Sequence, residues 1–173
     1  MMPAAREAKN QSVKGNHMKR VTILLTLLAA LFAAVTVCVA ADDPNMGTWK
    51  LNEAKSKIAP GTAKNTTVVC APAGDSVKVT VDGVDAAGKP SHNEWTGKFD
   101  GKDYPVTGDP TSDTRSYKRV DAHTLELTGK QGAKVTLNGT VKVSVDGKTR
   151  TVTISGTDAK GNKTSTTAVY DKK

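Results

Sequence analysis

SVKVTVDGVDAAGKPSHNEWTGKF, residues Ser76 to Phe99, decides the fold. Val77, Val79 and Val81 alternate with Lys78, Thr80 and Asp82, the period of a strand with one wet and one dry face. Asp85 to Lys89 reads as a hairpin whose three-residue loop ends on Gly88 in the left-handed position. That loop length sets 79 opposite 95 and 81 opposite 93, so Trp95 and Phe99 share the inner face with Val79 and Val81. Asp100-Gly101 then reads as a two-residue turn, pairing 99 with 102, 97 with 104 and 95 with 106. Tyr104 and Val106 join the same face.

The pattern continues toward the C-terminus. Val135, Leu137, Val141, Val143 and Val145 alternate with polar neighbours. A three-residue loop at Lys130-Gln131-Gly132 predicts Leu127 opposite Val135 and Leu125 opposite Leu137. Asp146-Gly147 as a two-residue turn pairs 143 with 150 and 141 with 152. A loop at Ala159-Lys160-Gly161 pairs 154 with 166, 152 with 168 and 150 with 170. Asn52 to Ile58 is the one helical candidate, a turn or two stopped by Pro60-Gly61. Strands are predicted near 46–52, 64–71, 75–85, 89–99, 102–107, 113–120, 123–129, 133–145, 148–158 and 162–171. So many short sequential hairpins predict an all-β, antiparallel up-and-down barrel of eight to ten strands, because closure removes exposed edges.

Upstream, Met18-Lys19-Arg20 precedes an uncharged apolar run, Val21 to Val37, and then Cys38-Val39-Ala40-Ala41. A basic start, a short apolar core and small residues describe a secretory signal peptide at 18–40, cleaved after Ala40. Residues 1–17 are polar and patternless and read as a spurious upstream extension, and 41–173 forms the barrel domain. Lipid attachment through Cys38 is disfavoured by Val37, where such signals carry Gly, Ala or Ser. The protein is therefore expected to be exported, to the periplasm or beyond, with no membrane span after processing.

Trimming changes the charge argument. The chain has 173 residues, 25 Lys+Arg and 17 Asp+Glu, for a formal charge of +8. Five basic residues and one acidic residue lie in 1–40, so 133 residues remain with 20 basic and 16 acidic groups, or +4. The remaining basic residues are dispersed, which argues against nucleic acid as a partner. Cys70 alone survives trimming, so it has no intramolecular disulfide partner and reads as a small buried hydrophobe in a strand.

Chemistry is sparse. Cys70 has no assignable base, and His92 and His123 stand alone; His92 and Glu94 fall on the outer face. No catalytic residue, cofactor or metal site is predicted, and the protein is read as not an enzyme. Arg150 is the exception to a valine-lined face, directly opposite Tyr170. Its guanidinium either holds an anionic ligand head or reaches out past the turn to water. Trp95, Phe99 and Tyr104 are either cavity wall or aromatic core.

Met46-Gly47-Thr48-Trp49-Lys50-Leu51 resembles the Gly-x-Trp opening of lipocalins and, more closely, the Gly-Thr-Trp-Lys-Leu opening of intracellular fatty-acid-binding proteins. Ala168-Val169-Tyr170-Asp171-Lys172 resembles the closing strand of the latter. The resemblance implies a calycin-type barrel around an apolar cavity, with Trp49 as a structural floor plug and Tyr170 in the place of a tyrosine that helps hold a ligand carboxylate. That family's arginine two residues earlier is Ala168 here, and Leu51 to Pro60 is too short for its helical lid. Together these features predict an exported, non-catalytic barrel carrying a small hydrophobic ligand, with or without an anionic head, through Arg150, Tyr170, Trp95, Tyr104 and Phe99. The alternative is a cell-envelope structural or protein/glycan-interaction module with a filled barrel.

Overall fold

A computed structural model describes residues 43–59, 61–157 and 163–173. The leader and the upstream extension, as well as the loop at 159–161, lie outside these residues. Ten antiparallel strands follow in chain order: β1 (Gly47–Leu51), β2 (Lys64–Ala73), β3 (Ser76–Val84), β4 (Pro90–Gly97), β5 (Tyr104–Thr107), β6 (Thr114–Arg119), β7 (Thr124–Gln131), β8 (Lys134–Val143), β9 (Thr149–Thr157) and β10 (Lys163–Lys172). Each pairs with the next, and β1 also pairs with β10, closing an up-and-down barrel. The predicted helical stretch is a single 3-10 turn, Glu53–Lys55, capped by the Asn52 side chain.

Several predicted registers hold. Val79 faces Trp95 and Val81 faces Asn93 across β3–β4, and Trp95 faces Val106 across β4–β5. Val141 faces Val152 and Val143 faces Arg150 across β8–β9, while Arg150 faces Tyr170 across β9–β10. Because alternation has period two, these pairings send Val79, Val81, Trp95, Val141, Val143, Ala168 and Tyr170 into one buried core.

Three local expectations change. At β7–β8 the turn is tighter: Gln131 pairs with Lys134 around Gly132 (φ +57°), and a bulge follows at Gly129/Lys130. Leu127 therefore faces Gly139, Leu125 faces Val141 and Leu137 faces Gly129. This register sets each of two leucines opposite a glycine; a Cβ on Gly129 would come within 2.9 Å of the Leu137 side chain. Behind the bulge the slip spans four residues, an even number, so Leu125, Leu127, Leu137 and Val141 keep their face, whereas Val135 pairs with Lys130 and is 45% exposed rather than inward opposite Leu127. At β8–β9 the turn is wider. Ser144 carbonyl accepts from Gly147 N–H, which leaves Val145 at the tip and 91% exposed rather than inward.

At Asp100-Gly101 the expected tight hairpin does not form. The segment runs along β6 instead: Gly101 N–H donates to Tyr117 carbonyl and Arg119 N–H to Phe99 carbonyl. The β6 edge, which short β5 leaves uncovered, is thereby paired. Only Glu94–Thr107 and Trp95–Val106 remain as β4–β5 pairs. Gly97 explains the bend: a Cβ there would lie 2.6 Å from both the Trp95 and Tyr104 rings, so the bare backbone lets the two aromatics close over it.

The chain entering β1 closes one end. Asn45 is fully buried, its carbonyl accepts from Trp49 Nε1 at 3.1 Å, and Asp43 pairs with Arg119 of β6. Among the described residues no helix is long and apolar enough to cross a membrane.

Candidate functional site

The interior divides into two unlike sectors. Trp95, Phe99, Tyr104 and Tyr117 fill one of them. Trp95 stacks on Phe99 at 6.3 Å and meets Tyr117 and Tyr104 edge-on at 4.8 and 5.8 Å. Its Nε1 donates to the Arg115 carbonyl at 2.8 Å, and Tyr104 Oη donates to Asp100 Oδ2 at 3.0 Å. Trp95, Phe99 and Tyr104 thus sit in a core cluster, because their faces and edges satisfy one another, and none of them lines the cavity. Trp49 is likewise fully buried beside the entering chain and off the cavity wall.

The other sector is open. A cavity of about 300 Å³ is bordered by β2 to β4, β6 to β10 and the β5–β6 loop, with Val68, Val81, Leu127, Val141, Val152 and Ile154 in its wall. Its size lies at the lower edge of small-molecule sites. Valine contributes four residues of the wall, Val68, Val81, Val141 and Val152, from inward positions of the alternating strands.

Two predicted site residues, Arg150 and Tyr170, line this cavity. Arg150 is 3% exposed, so its charge does not escape past the turn. Nη1 donates to Cys70 Sγ at 3.0 Å, the guanidinium carbon stands 5.9 Å from the Trp49 ring centroid, and Nε has no hydrogen-bond partner. Among the described residues no carboxylate pairs with it, although several surface lysines find one. Burial works against the Arg150 cation, while Cys70 and then the Tyr117 and Tyr170 phenols raise its pKa above the ordinary arginine value. Burial drives the Tyr170 phenol up to about 12, against the pull of Arg150, so it is a neutral hydrogen-bond donor near pH 7.

Three participants escaped the sequence reading. Arg115 and Tyr117 of β6 line the cavity, as does Asp109 from the β5–β6 loop. Arg115 Nη2 donates to Asp109 Oδ2 at 2.8 Å and Nη1 to Asn93 Oδ1 at 3.3 Å, while Nε is unpartnered. The signal was the alternation Arg115-Ser116-Tyr117, but no turn glycine after Tyr117 fixed its register. Cys70 is buried in β2 as read, and gains a role as acceptor for Arg150.

On the outer face His92 Nδ1 lies 2.6 Å from Asp82 Oδ1, with Glu94 and Lys78 alongside. The hydrogen bond to Asp82 raises the His92 pKa. Among the described residues no group of His, Cys, Asp and Glu is arranged to hold a metal ion. No protein-family model matches the chain, and no curated protein matches its sequence.

Proposed function

We propose that this barrel binds a small apolar molecule bearing an anionic head, and carries it without performing chemistry on it. The observation that supports the reading is Arg150: a buried cation with an unpartnered Nε–H, no carboxylate beside it among the described residues, and a cavity of about 300 Å³ against it. A buried charge without a counter-ion costs several kcal/mol. A ligand carboxylate would supply that counter-ion through paired charged hydrogen bonds, with the neutral Tyr170 phenol as a further donor. The aliphatic wall would take the ligand's hydrocarbon part, and that part's modest length follows from the volume.

A calycin-type relationship, lipocalin-like with ends like those of fatty-acid-binding proteins, belongs to the same proposal. So does export, for which the basic start and apolar run of residues 18–40 are the support. The outward row of β3 and β4, Lys78, Thr80, Asp82, His92 and Glu94, is polar, as suits a barrel in water.

Native mass spectrometry of freshly purified protein, followed by titration with an anionic apolar fluorophore, tests the reading. A bound mass or saturable binding is expected, weakened about tenfold or more by Arg150→Met, in line with the ~1.5–3 kcal/mol of a charged hydrogen bond. Absence of binding, or binding indifferent to Arg150→Met, would overturn it and favour an envelope module acting through its outer face.

A further inference from the structure

The cavity holds two guanidiniums in opposite states. Arg150 has a thiol and an aromatic face for company. Arg115 has a carboxylate: Asp109 Oδ2 at 2.8 Å, with both side chains about one-tenth exposed. Asp109 is itself held in place, since its Oδ1 accepts from Thr111 N–H at 2.8 Å and Thr111 Oγ1 at 2.7 Å. Asn93 steadies the far side of Arg115 at 3.3 Å. Apart from Cys70 and Trp49, which stand behind Arg150, these groups belong to the cavity wall, and Tyr117 is close enough to influence both cations.

The wall therefore carries two cations and two carboxylates, of which Asp109 stands against a guanidinium. Asp85, the other acidic residue on the wall, is occupied at the rim, where its Oδ1 accepts from Ala87 and Lys89 N–H and caps its own turn.

Resting on the reading that Arg150 receives an anionic head, we infer that Asp109 is a resident counter-ion that sets the ligand's charge at one. It occupies the place beside Arg115 that a second anionic group would take, and its own negative charge repels such a group. The site then selects amphiphiles with a single carboxylate-like head over α,ω-dianions of the same length. Asp109 is a specificity-determining residue that acts through Arg115.

The test compares octanoate with octanedioate, and shorter and longer homologous pairs, by calorimetry on the purified protein and on Asp109→Asn. The wild type should favour the monoanion about tenfold or more. Asp109→Asn should strengthen dianion binding by a similar factor at the best-fitting length, leaving octanoate within a few-fold. The double variant D109N/R115M removes both charges and keeps the net charge of the wall; it should restore the monoanion preference. It also serves if Asp109→Asn alone does not fold. Should octanoate bind while Asp109→Asn leaves the mono-to-dianion ratio unmoved, or should the double variant shift that ratio tenfold, the counter-ion role is overturned and the carrier reading stands. Failure of wild type and variants to bind any carboxylate overturns both.

Discussion

The two interior sectors are built from one alternating pattern, yet one is solid and the other hollow. Four aromatic rings pack on one another, two of them closing over Gly97, and the polar ends of Trp95 and Tyr104 find partners at the edge of the cluster. The sector bordered by β2 to β4 and β6 to β10 is lined by short aliphatic side chains such as Val68, Val81, Leu127 and Val141, together with Arg115, Arg150 and Tyr170. Aromatic bulk concentrated on one side thus leaves a cavity on the other. Stability and binding should then be separable by position.

The largest test is Trp95→Ala, expected to cost about 3–5 kcal/mol in denaturant unfolding, since it empties the solid sector. A loss near that of an aliphatic wall residue would break the distinction. Next comes alkaline pH. The Tyr170 phenol titrates near 12 when folded and near 10 when free, so its folded pKa is raised. Its contribution is present below pH 10 and is lost between about 10 and 12, roughly 1.4 kcal/mol for each unit. Urea unfolding across that window should show the decline, and Tyr170→Phe should remove it.

Arg150→Met should act in the opposite sense to Trp95→Ala: unfolding free energy unchanged or raised by about 1 kcal/mol, because an uncompensated buried charge leaves the hollow sector. A strongly destabilised variant would mean that Arg150 is structural. Ile154→Val, on the cavity wall, should cost only about 0.5 kcal/mol, the low end for that change, as the void it enlarges already exists. Smallest of all, NMR titration should place the His92 pKa above 6.5, and Asp82→Asn should bring it down. The associated stabilisation is present below the unfolded pKa and fades as pH rises through the folded value.

Much of the barrel was legible because hairpin loops are local. Gly88 after Asp85 and the loop around Gly147 fix parity, and parity alone puts Arg150 inside, opposite Tyr170. Where a glycine could serve two turn types, at Gly132, the register came out four residues away, and packing of leucines against Gly129 and Gly139 chose between them. Where no glycine stood, after Tyr117, β6 stayed unplaced, and Arg115 with it. Asp109 looked like an ordinary turn residue, and its ion pair appears only once β5 and β6 are adjacent.

Sequence alone determined the ten strand segments, most of the inner face and the place of Arg150 opposite Tyr170, since alternation and turn chemistry act over a few residues. Tertiary structure decided that the aromatics fill one sector, that about 300 Å³ stays empty in the other, and that Arg115 carries a counter-ion while Arg150 does not. Those depend on groups far apart in the chain, such as Cys70 and Arg150, which meet only after all ten strands have closed.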